Sequence, residues 1–476
     1  MTRLVVGPFN RVEGDLEVRL DLAEGRVRSA RVVAPMYRGF ETILEGKEPL
    51  DALVVVPRIC GICSVSQSVA AARALADLGG IEPPPNGRIA HELMQAAENL
   101  ADHLTHFYLF FMPDFARPAY AGMPWHAEAM RRFEAQRGVR ARAALAARQR
   151  WLQIIGTLGG KWPHTHSIRP GGTSRAIEGA ERLRLLARVR EFRAFVEETL
   201  YGAALESVAA LADEAALDDL DTEGDFGFFV AVARSLGLDR LGRGPGLYLG
   251  YGGLGGAVPA GVWDGSAQAL RPLDLAAISE DASSAWLAEG PGPLHPAQGL
   301  TRPELDKPAA YTWNKAPRIA GEVVECGAIA RRLLAGQPLV RAAVARCGGS
   351  VYTRVLARLV ELAEVVPLME RWLQDIRPRE PWCDERALPA QGRGVGLTEA
   401  ARGSLGHWIE LRAGRIARYQ IVAPTSWNFS PRDAAGTPGA LEAALEGTPV
   451  SAGDPTPVAV QHVVRSFDPC MVCTVH

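Results

Sequence analysis

The sequence has no long apolar run, little net charge and no cluster of basic residues. No uninterrupted apolar stretch approaches the roughly 18–20 residues that a membrane-spanning helix needs, so the sequence predicts no membrane span. The formal net charge is -2, and the scattered Lys and Arg residues argue against nucleic acid as a partner. The N-terminal stretch MTRLVVGPFNRVEG is too weakly apolar for a signal peptide. We therefore expect a cytoplasmic protein, unless a partner carries an export signal.

Internal repeats, low-complexity segments and obvious linkers are also absent. Residues 15–34 alternate apolar and charged side chains around AEGR, which predicts a β-hairpin with one buried face. Strand-like segments return at residues 390–433, and we expect the tail, residues 456–476, to be extended. Apolar residues at helical spacing predict helices over residues 88–111, 139–156, 175–213 and 327–377. We predict one α+β domain over residues 1–476, with a large central helical bundle, small flanking β-sheets and adjacent termini.

Two weaker patterns have ordinary structural explanations. GYGGLG at residues 250–255 matches G-x-G-x-x-G, but a dinucleotide site needs a helix to follow, and Pro259 and Gly261 argue against one. We interpret this segment as a tight loop. His103 and His106 lie three residues apart on a predicted helix and could share a metal ion, although buried packing roles are commoner for such histidines.

Cysteine is sparse and unevenly placed. The chain of 476 residues has seven cysteines. Their number is odd and most of them lie far apart, which is not typical of a secreted disulfide scaffold. We expect the isolated Cys326, Cys347 and Cys383 to be buried as small apolar residues. The other four form two Cys-x-x-Cys pairs, one near each end of the chain.

The pairs Cys60/Cys63 and Cys470/Cys473 carry the strongest chemical signal. Four thiolates can converge on soft metals such as zinc, nickel or the iron of a cluster. Three interpretations remain open from the residues alone: a structural zinc site, a dithiol–disulfide relay, and a buried metal centre that joins the two chain ends. Zinc pairs usually lie within some 15–20 residues of each other, unlike these. The Arg and carboxylate residues in nearby motifs favour redox chemistry coupled to proton transfer.

Nine segments along the chain form a recognisable series: RVEG (11–14), YRGFE (37–41), RICGIC (58–63), DHLTHFY (102–108), GGKWPH (159–164), WNKAPR (313–318), EAARGSLGHW (399–408), YQIVAPTSWNFSPRD (419–433) and DPCMVCTVH (468–476). Through these segments, and over essentially its whole length, the sequence resembles the large, catalytic subunit of nickel–iron hydrogenases. The complex I relative of that subunit lacks the two cysteine pairs, which excludes it as the closer match.

The resemblance implies a nickel–iron centre bound by the four paired cysteines. All four would bind nickel, and Cys63 and Cys473 would also bridge to an iron that carries carbon monoxide and cyanide. Leu405, Pro424 and Thr425 would line the pocket of those diatomic ligands. The expected activity is the heterolytic splitting of H2 by an H2:acceptor oxidoreductase.

The resemblance also implies how protons are handled beside that centre. Glu13 would be the first proton relay. Arg402 would lie over the open face of the metals, with Asp102 and Asp468 around it.

A second metal site and a partner subunit are implied as well. Glu41, the carbonyl of Ile421 and the terminal His476 would hold magnesium or iron. The chain has no cysteines left for iron–sulfur clusters, so an iron–sulfur small subunit would be an obligate partner. The resemblance also implies an assembly of two such heterodimers, and maturation proteins as further partners.

Four residues depart from the common family pattern. Gln67 replaces a His beside the cofactor, Ala401 replaces the Pro before Arg402, and Ile62 and Phe110 stand where Val and Leu are common. Gln67, Ile62 and Phe110, with no residue after the terminal His, resemble the hydrogen-sensing regulatory subgroup, which signals to a histidine kinase and turns over slowly. Ile62 and Phe110 would then narrow a gas channel. The alternative is an uptake hydrogenase at the periplasmic face that feeds electrons to a quinone or carrier.

Overall fold

The computed structural model describes residues 2–218, 220, 222–451 and 453–474, and it places helices at the centre with small sheets around them. Its helices are α1 (Phe40–Leu44), α2 (Ala52–Val55), α3 (Ser64–Gly79), α4 (Pro85–Thr105), α5 (His126–Phe133), α6 (Val139–Trp151), α7 (Gln153–Gly159), α8 (Gly179–Phe195), α9 (Leu205–Ala209), α10 (Asp225–Leu236), α11 (Ala328–Leu334), α12 (Pro338–Cys347), α13 (Val351–Asp375), α14 (Pro424–Asn428), α15 (Ala440–Leu445) and α16 (Val458–Ser466). Its strands are β1 (Thr2–Val6), β2 (Glu17–Ala23), β3 (Arg26–Val33), β4 (Ile168–Arg169), β5 (Gly172–Thr173), β6 (Leu247–Gly253), β7 (Val258–Asp264), β8 (Ala269–Arg271), β9 (Ile278–Asp281), β10 (Ala316–Ile319), β11 (Glu325–Cys326), β12 (Gly392–Ala400), β13 (Gly403–Arg412) and β14 (Arg415–Val422). The predicted α+β class is confirmed.

The N-terminal sheet forms as the alternation of residues 15–34 predicts. Strands β1, β2 and β3 lie side by side in that order and are antiparallel. Glu24 and Gly25 join β2 to β3 with positive φ at both residues, as a tight two-residue hairpin turn requires. Val18 and Leu20 of β2 are buried, so the hairpin has one face in the core.

Helices α4 and α13 form the centre of the helical layer. Every residue from Leu93 to Leu104 in α4 is buried, as is every residue from Val351 to Ala363 in α13. A helix that is buried on all sides lies inside the protein rather than on its surface. The charged residues in these stretches therefore need buried partners, and Asp102 and Glu361 belong to networks that are described below.

Helix α3 lies directly on strand β12. A Cβ atom on Gly394 would lie 2.1 Å from the carbonyl oxygen of Ala74, and one on Gly396 would lie 1.9 Å from that of Ala70. Only glycine permits so close an approach of strand and helix. Since α3 begins just after Cys63 and β12 leads into the turn that carries Arg402, this contact fixes two parts of the site relative to each other.

Residues 220–320 contain one helix that their weak sequence pattern did not indicate. Helix α10 was not predicted, because its sequence FGFFVAVA is equally compatible with a buried strand. The GYGGLG motif ends β6, and a short turn at Leu254–Gly256 leads directly into β7. No helix follows the glycines, which confirms their interpretation as a tight loop.

The tail is not extended throughout, so this prediction was wrong in part. Residues 458–466 form α16, and Met471–Cys473 form a single helical turn. Val460, Val463 and Val464 are buried, at the i, i+3, i+4 spacing of one helix face. Packing of that face overrides the modest helix propensity of valine.

The two ends of the chain meet, as expected. Glu13 and Cys470 form a parallel bridge. The Glu13 N–H donates to the Pro469 carbonyl at 3.3 Å, and the Glu13 carbonyl accepts from the Met471 N–H at 2.7 Å. In the described part of the chain, no helix is both long enough and apolar enough to span a bilayer.

Candidate metal centre

Four thiols from the two ends of the chain converge in one buried pocket. The Sγ atoms of Cys60, Cys63, Cys470 and Cys473 all lie within 4.8 Å of one another. Cys60 lies 3.4 Å from Cys470, Cys63 lies 3.3 Å from Cys473, and none of the four is in a disulfide. Such a cluster matches the size of a thiolate site with metal–sulfur bonds of about 2.3 Å.

The pKa values of these thiols are shifted in ways that fit a bound cation. Hydrogen bonds from Cys470, Cys473 and Cys63 hold the pKa of the Cys60 thiol well below its usual range. Burial instead raises the pKa of Cys470 well above its usual range. Four buried thiols cannot ionise together without positive charge nearby, and a soft metal supplies that charge.

Local structure positions each cysteine pair. Cys60 follows the helical turn Val56–Ile59, and Cys63 is the residue immediately before α3. Cys470 is held at its backbone N–H, which donates to Thr425 Oγ1 at 3.3 Å. The first pair therefore lies at a helix start. In the second pair, Cys470 forms the bridge with Glu13, and Cys473 ends the helical turn Met471–Cys473.

Arg402 lies at the buried tip of the β12–β13 hairpin, where it binds both expected carboxylates. Its Nε donates to the Asp468 carbonyl at 2.9 Å, and its Nη2 lies 3.2 Å from Asp468 Oδ1 and 3.0 Å from Asp102 Oδ1. Burial would lower the pKa of Arg402, but these carboxylates and the thiolates of Cys470 and Cys60 raise it well above its usual range. Arg402 Nη1 has no hydrogen-bond partner within the described chain, and such an orphaned buried donor fits a ligand beside it.

Glu13 is half-buried and lies between β1 and β2, where it forms the isolated bridge with Cys470. Burial raises its pKa, and so does the negative charge of Cys60, while Arg402 and Arg38 oppose the shift. These interactions place the Glu13 carboxyl in the electrostatic environment of the thiol cluster. A carboxyl with a raised pKa beside the cluster is suited to accept and release a proton.

Asp114 is a charged residue of this region that the sequence analysis missed. It is fully buried and accepts from Arg465 Nη1 at 2.7 Å and from Arg11 Nη2. Burial alone would raise the pKa of Asp114, but His462, Arg465 and Arg11 hold it below its usual range. Asp114 thereby ties the segment before Glu13 to the helix before Cys470. Arg11 and Arg465 lie 103 and 351 residues away from Asp114 in the sequence, so no local pattern could have indicated these contacts.

Gln67 lies one helical turn after Cys63 and is bonded to a buried histidine. Its Oε1 lies 2.9 Å from His407 Nε2, and His407 Nδ1 lies 2.8 Å from the Tyr419 hydroxyl. Leu405 and Pro424 are buried as well. The Gln67 N–H donates to the Cys63 carbonyl at 3.1 Å, and Thr425 contacts the Cys470 backbone, while the roles expected for both residues at the cofactor stay predictions.

The expected second metal site contains a buried acidic and basic cluster. Glu41 Oε1 accepts from the Ile421 N–H at 2.7 Å, and its Oε2 lies 3.8 Å from Lys315 Nζ. Lys315 also donates to Gln420 Oε1 at 2.8 Å. Burial raises the pKa of the neighbouring Glu280 to about 7. Glu41 and Ile421 are therefore adjacent, whereas the third expected ligand, His476, lies outside the described residues.

The remaining candidates have structural surroundings. His103 Nε2 lies 2.9 Å from Glu361 and His106 Nε2 lies 2.7 Å from the Arg465 carbonyl, so both histidines have packing roles. Ile62 and Phe110 are half-buried, and the gas channel assigned to them stays a prediction. The isolated cysteines only partly match expectation: Cys326 is buried, whereas Cys347 and Cys383 are half-buried.

Comparison with known proteins identifies the family of this chain. The model of the family described as nickel-dependent hydrogenase matches residues 38–129 and 141–476. The chain is 29% identical to the periplasmic [NiFeSe] hydrogenase large subunit of Desulfomicrobium baculatum and 27% identical to the uptake hydrogenase large subunit of Cupriavidus necator, covering 100% of this chain and 95% of each relative. A solved structure of the H2-activated Dm. baculatum [NiFeSe]-hydrogenase superposes with a TM-score of 0.87 at 28% identity, and one of the Ni-Fe-Se hydrogenase from D. vulgaris Hildenborough with 0.85 at 29%, each over 100% of both chains. The chain belongs to the nickel-dependent hydrogenase family, as a large subunit, and is an oxidoreductase that acts on H2.

Proposed function

We propose that the four-thiol pocket holds a nickel–iron centre with carbon monoxide and cyanide on the iron, and that H2 is split there heterolytically. The observation that carries the proposal is the convergence of four buried thiols within 4.8 Å under the guanidinium of Arg402. All four cysteines would hold nickel, and Cys63 and Cys473 would bridge to iron. When bound, the metal pair supplies the Lewis acidity that polarises H2.

The residues of the chain supply the surroundings that this chemistry needs. The pocket is buried, so water is excluded and charges act strongly on one another. Arg402, held by Asp102 and Asp468, keeps a fixed positive charge over the thiols. Leu405, Pro424 and Thr425 would line the diatomic ligands.

Glu13 would carry the proton away from the pocket. Its raised pKa and its position beside Cys60 allow it to accept a proton from the thiol cluster and pass it toward solvent. Its side chain is half-buried, so part of it is open to solvent.

Electrons would leave through a second subunit. Within the described residues, the four-thiol pocket is the one group of Cys, His and acidic side chains arranged to hold a metal, so the clusters of an electron path need another chain. The similar proteins are named as hydrogenase large subunits, which supports an iron–sulfur small subunit as the partner.

Glu41, Ile421 and His476 would hold a separate magnesium or iron.

The physiological role is proposed to be hydrogen sensing through a histidine kinase. Gln67, bonded to His407, together with Ile62 and Phe110, supports this role through the resemblance to the regulatory subgroup. Residues 1–476 would form one domain of a cytoplasmic sensor complex. The second candidate is an uptake hydrogenase at the periplasmic face, which is favoured by the periplasmic and uptake relatives.

One experiment tests the activity and separates the two roles. The chain is co-expressed with its iron–sulfur partner and its maturation proteins, and H2-dependent dye reduction is measured in the purified complex. No H2-dependent reduction by a nickel-loaded complex would contradict the proposed activity. Slow dye reduction together with an H2-dependent change in kinase autophosphorylation supports the sensor. Rapid H2-dependent reduction of a quinone, with no change in kinase autophosphorylation, supports the uptake enzyme.

A further inference from the structure

The hairpin tip that carries Arg402 is buried, and its backbone needs internal partners. Ala400 pairs with Gly403, so Ala401 and Arg402 are the two turn residues between β12 and β13. Ala401 and Arg402 are each 3% exposed. Buried backbone carbonyls almost always have a hydrogen-bond donor, and here solvent cannot supply one.

Arg331 supplies those donors from helix α11. Its Nη1 donates to the Ala400 carbonyl at 2.7 Å, and its Nη2 donates to the Ala401 carbonyl at 3.0 Å. The side chain of Arg331 is 0% exposed. One planar guanidinium thus binds the carbonyls of both residues that precede Arg402, a geometry that the single ammonium of lysine cannot reproduce.

Arg331 is itself held in place by two buried carboxylates. Its Nε and Nη2 donate to Glu361 at 2.9 and 2.6 Å, and its Nη1 lies 3.1 Å from Glu399 Oε2. The five N–H donors of the guanidinium therefore all have acceptors. A side chain bonded at every donor has one orientation, so it fixes the backbone that it binds.

The same carboxylate of Glu361 also reaches the helix that carries Asp102. Glu361 Oε1 lies 2.9 Å from His103 Nε2, and His103 is the residue next to Asp102 on α4. Glu361 therefore links the hairpin tip with Arg402 to the helix that supplies a carboxylate partner of Arg402.

Ala401, the residue before Arg402, makes the turn depend on its contacts with Arg331. Ala401 stands where the resemblance places a proline, and alanine leaves φ unrestrained where a proline ring would fix it. The restraint on the turn has to come from contacts outside the hairpin, and the Arg331 guanidinium provides two of them.

We infer that Arg331 is a positioning residue: by binding the carbonyls of Ala400 and Ala401, it holds the Arg402 guanidinium over the thiol pocket. The inference rests on the proposed role of Arg402 at the metal centre. Arg331 touches neither the thiols nor any reacting atom in the described structure; it acts through the backbone of the hairpin.

The test compares Arg331→Lys with a matched control, Arg332→Lys, in the assembled complex. Arg332 is its neighbour on α11, binds the same Glu361 at 3.0 Å and also pairs with Glu364, but it bonds none of the hairpin carbonyls. Three quantities are measured in each: nickel content, amide hydrogen exchange of the peptide covering residues 397–405, and H2-dependent dye reduction. Arg402→Lys serves as the reference for loss of the guanidinium itself.

We expect Arg331→Lys to retain nickel, while the amides of the hairpin tip exchange about tenfold faster or more and dye reduction falls toward that of Arg402→Lys. Arg332→Lys should leave both readouts near wild type. Equal exchange rates at the tip in Arg331→Lys and Arg332→Lys would overturn the inference. Full dye reduction by Arg402→Lys would instead refute the proposed role of Arg402, and the exchange rates would still report the positioning.

A second, milder variant keeps the inference testable if Arg331→Lys does not assemble. Glu399→Gln keeps the length and shape of the side chain but removes the negative charge that holds Arg331 Nη1. Faster exchange at residues 400–403 in Glu399→Gln supports the inference, and wild-type exchange there contradicts it.

Discussion

The Sγ atoms of Cys60 and Cys470 lie 3.4 Å apart, although 410 residues separate them in the chain. Cys63 and Cys473 repeat this relationship at 3.3 Å and the same separation. Each contact joins one end of the chain to the other. Closing so long a loop is entropically costly, so the pocket exists only when the fold around it is nearly complete. Metal binding at these thiols is therefore coupled to the folding of the whole chain.

Glu13→Gln should separate proton transfer from metal binding. Glutamine keeps the shape of the side chain and removes its titratable proton. We expect nickel content to stay at the wild-type level while H2-dependent dye reduction falls by at least about 100-fold, the size of a typical general acid–base contribution. The control is Glu17→Gln, because Glu17 pairs with Arg19 in the N-terminal sheet, away from the pocket. Near-normal turnover by Glu13→Gln would show that protons leave by another route.

Asp114→Asn should destabilise the junction of the two chain ends. It would leave the charges of Arg465 and Arg11 without their shared carboxylate, and removing one partner of a buried ion pair costs about 3–5 kcal/mol in the free energy of unfolding. The pKa of Asp114 is lowered in the folded chain, so its stabilisation is present at neutral pH and is lost as pH falls below the usual aspartate range.

Urea unfolding at neutral pH measures this effect. The control Asp21→Asn alters a carboxylate that bonds Ser29 on the N-terminal hairpin, and it should shift the free energy of unfolding by no more than about 0.5 kcal/mol. Indistinguishable midpoints for Asp114→Asn and Asp21→Asn would show that the Asp114 contacts contribute nothing.

Glu98 should make stability depend on pH in the neutral range. Burial raises its pKa from 4.5 to about 7, although the N–H groups of Val65 and Ser66 at the start of α3 oppose the shift. A raised pKa in the folded chain means that the stabilising contribution is fully present below pH 4.5 and is lost as pH rises through about 7. Glu98→Gln should therefore flatten the fall in the urea midpoint between about pH 5 and pH 8. Glu92→Gln, on the same helix, is the control, and an unchanged slope in Glu98→Gln would contradict the assignment.

Ile62→Val combined with Phe110→Leu tests the gas-channel prediction. Both side chains are half-buried, and interiors are packed so closely that one methylene can close a passage. We expect the double variant to fold normally but to lose more H2 oxidation than wild type after prolonged exposure to air. Ile59→Val, a buried substitution on the same stretch, is the control. Equal survival of wild type and double variant would remove the channel argument and weaken the case for a sensor.

The features that the sequence predicted are those with a local signature. Alternating residues indicated the N-terminal hairpin, and the two Cys-x-x-Cys motifs indicated a shared site before any contact between them was known. Residues whose roles depend on distant partners left no such signature. Asp114 binds Arg465, 351 residues away, and Arg331 binds the carbonyl of Ala401, 70 residues away. Helix α16 was missed because tertiary packing, not propensity, stabilises its valines.

The most direct test of the central claim is metal analysis of the purified complex together with its infrared spectrum. We predict about one nickel per chain in wild type and bands from carbon monoxide and cyanide on iron. Cys63→Ser should lose both, whereas Cys347→Ser, a change at a half-buried cysteine outside the pocket, should keep both. Zinc in place of nickel in the wild-type complex, without carbon monoxide or cyanide bands, would contradict the account.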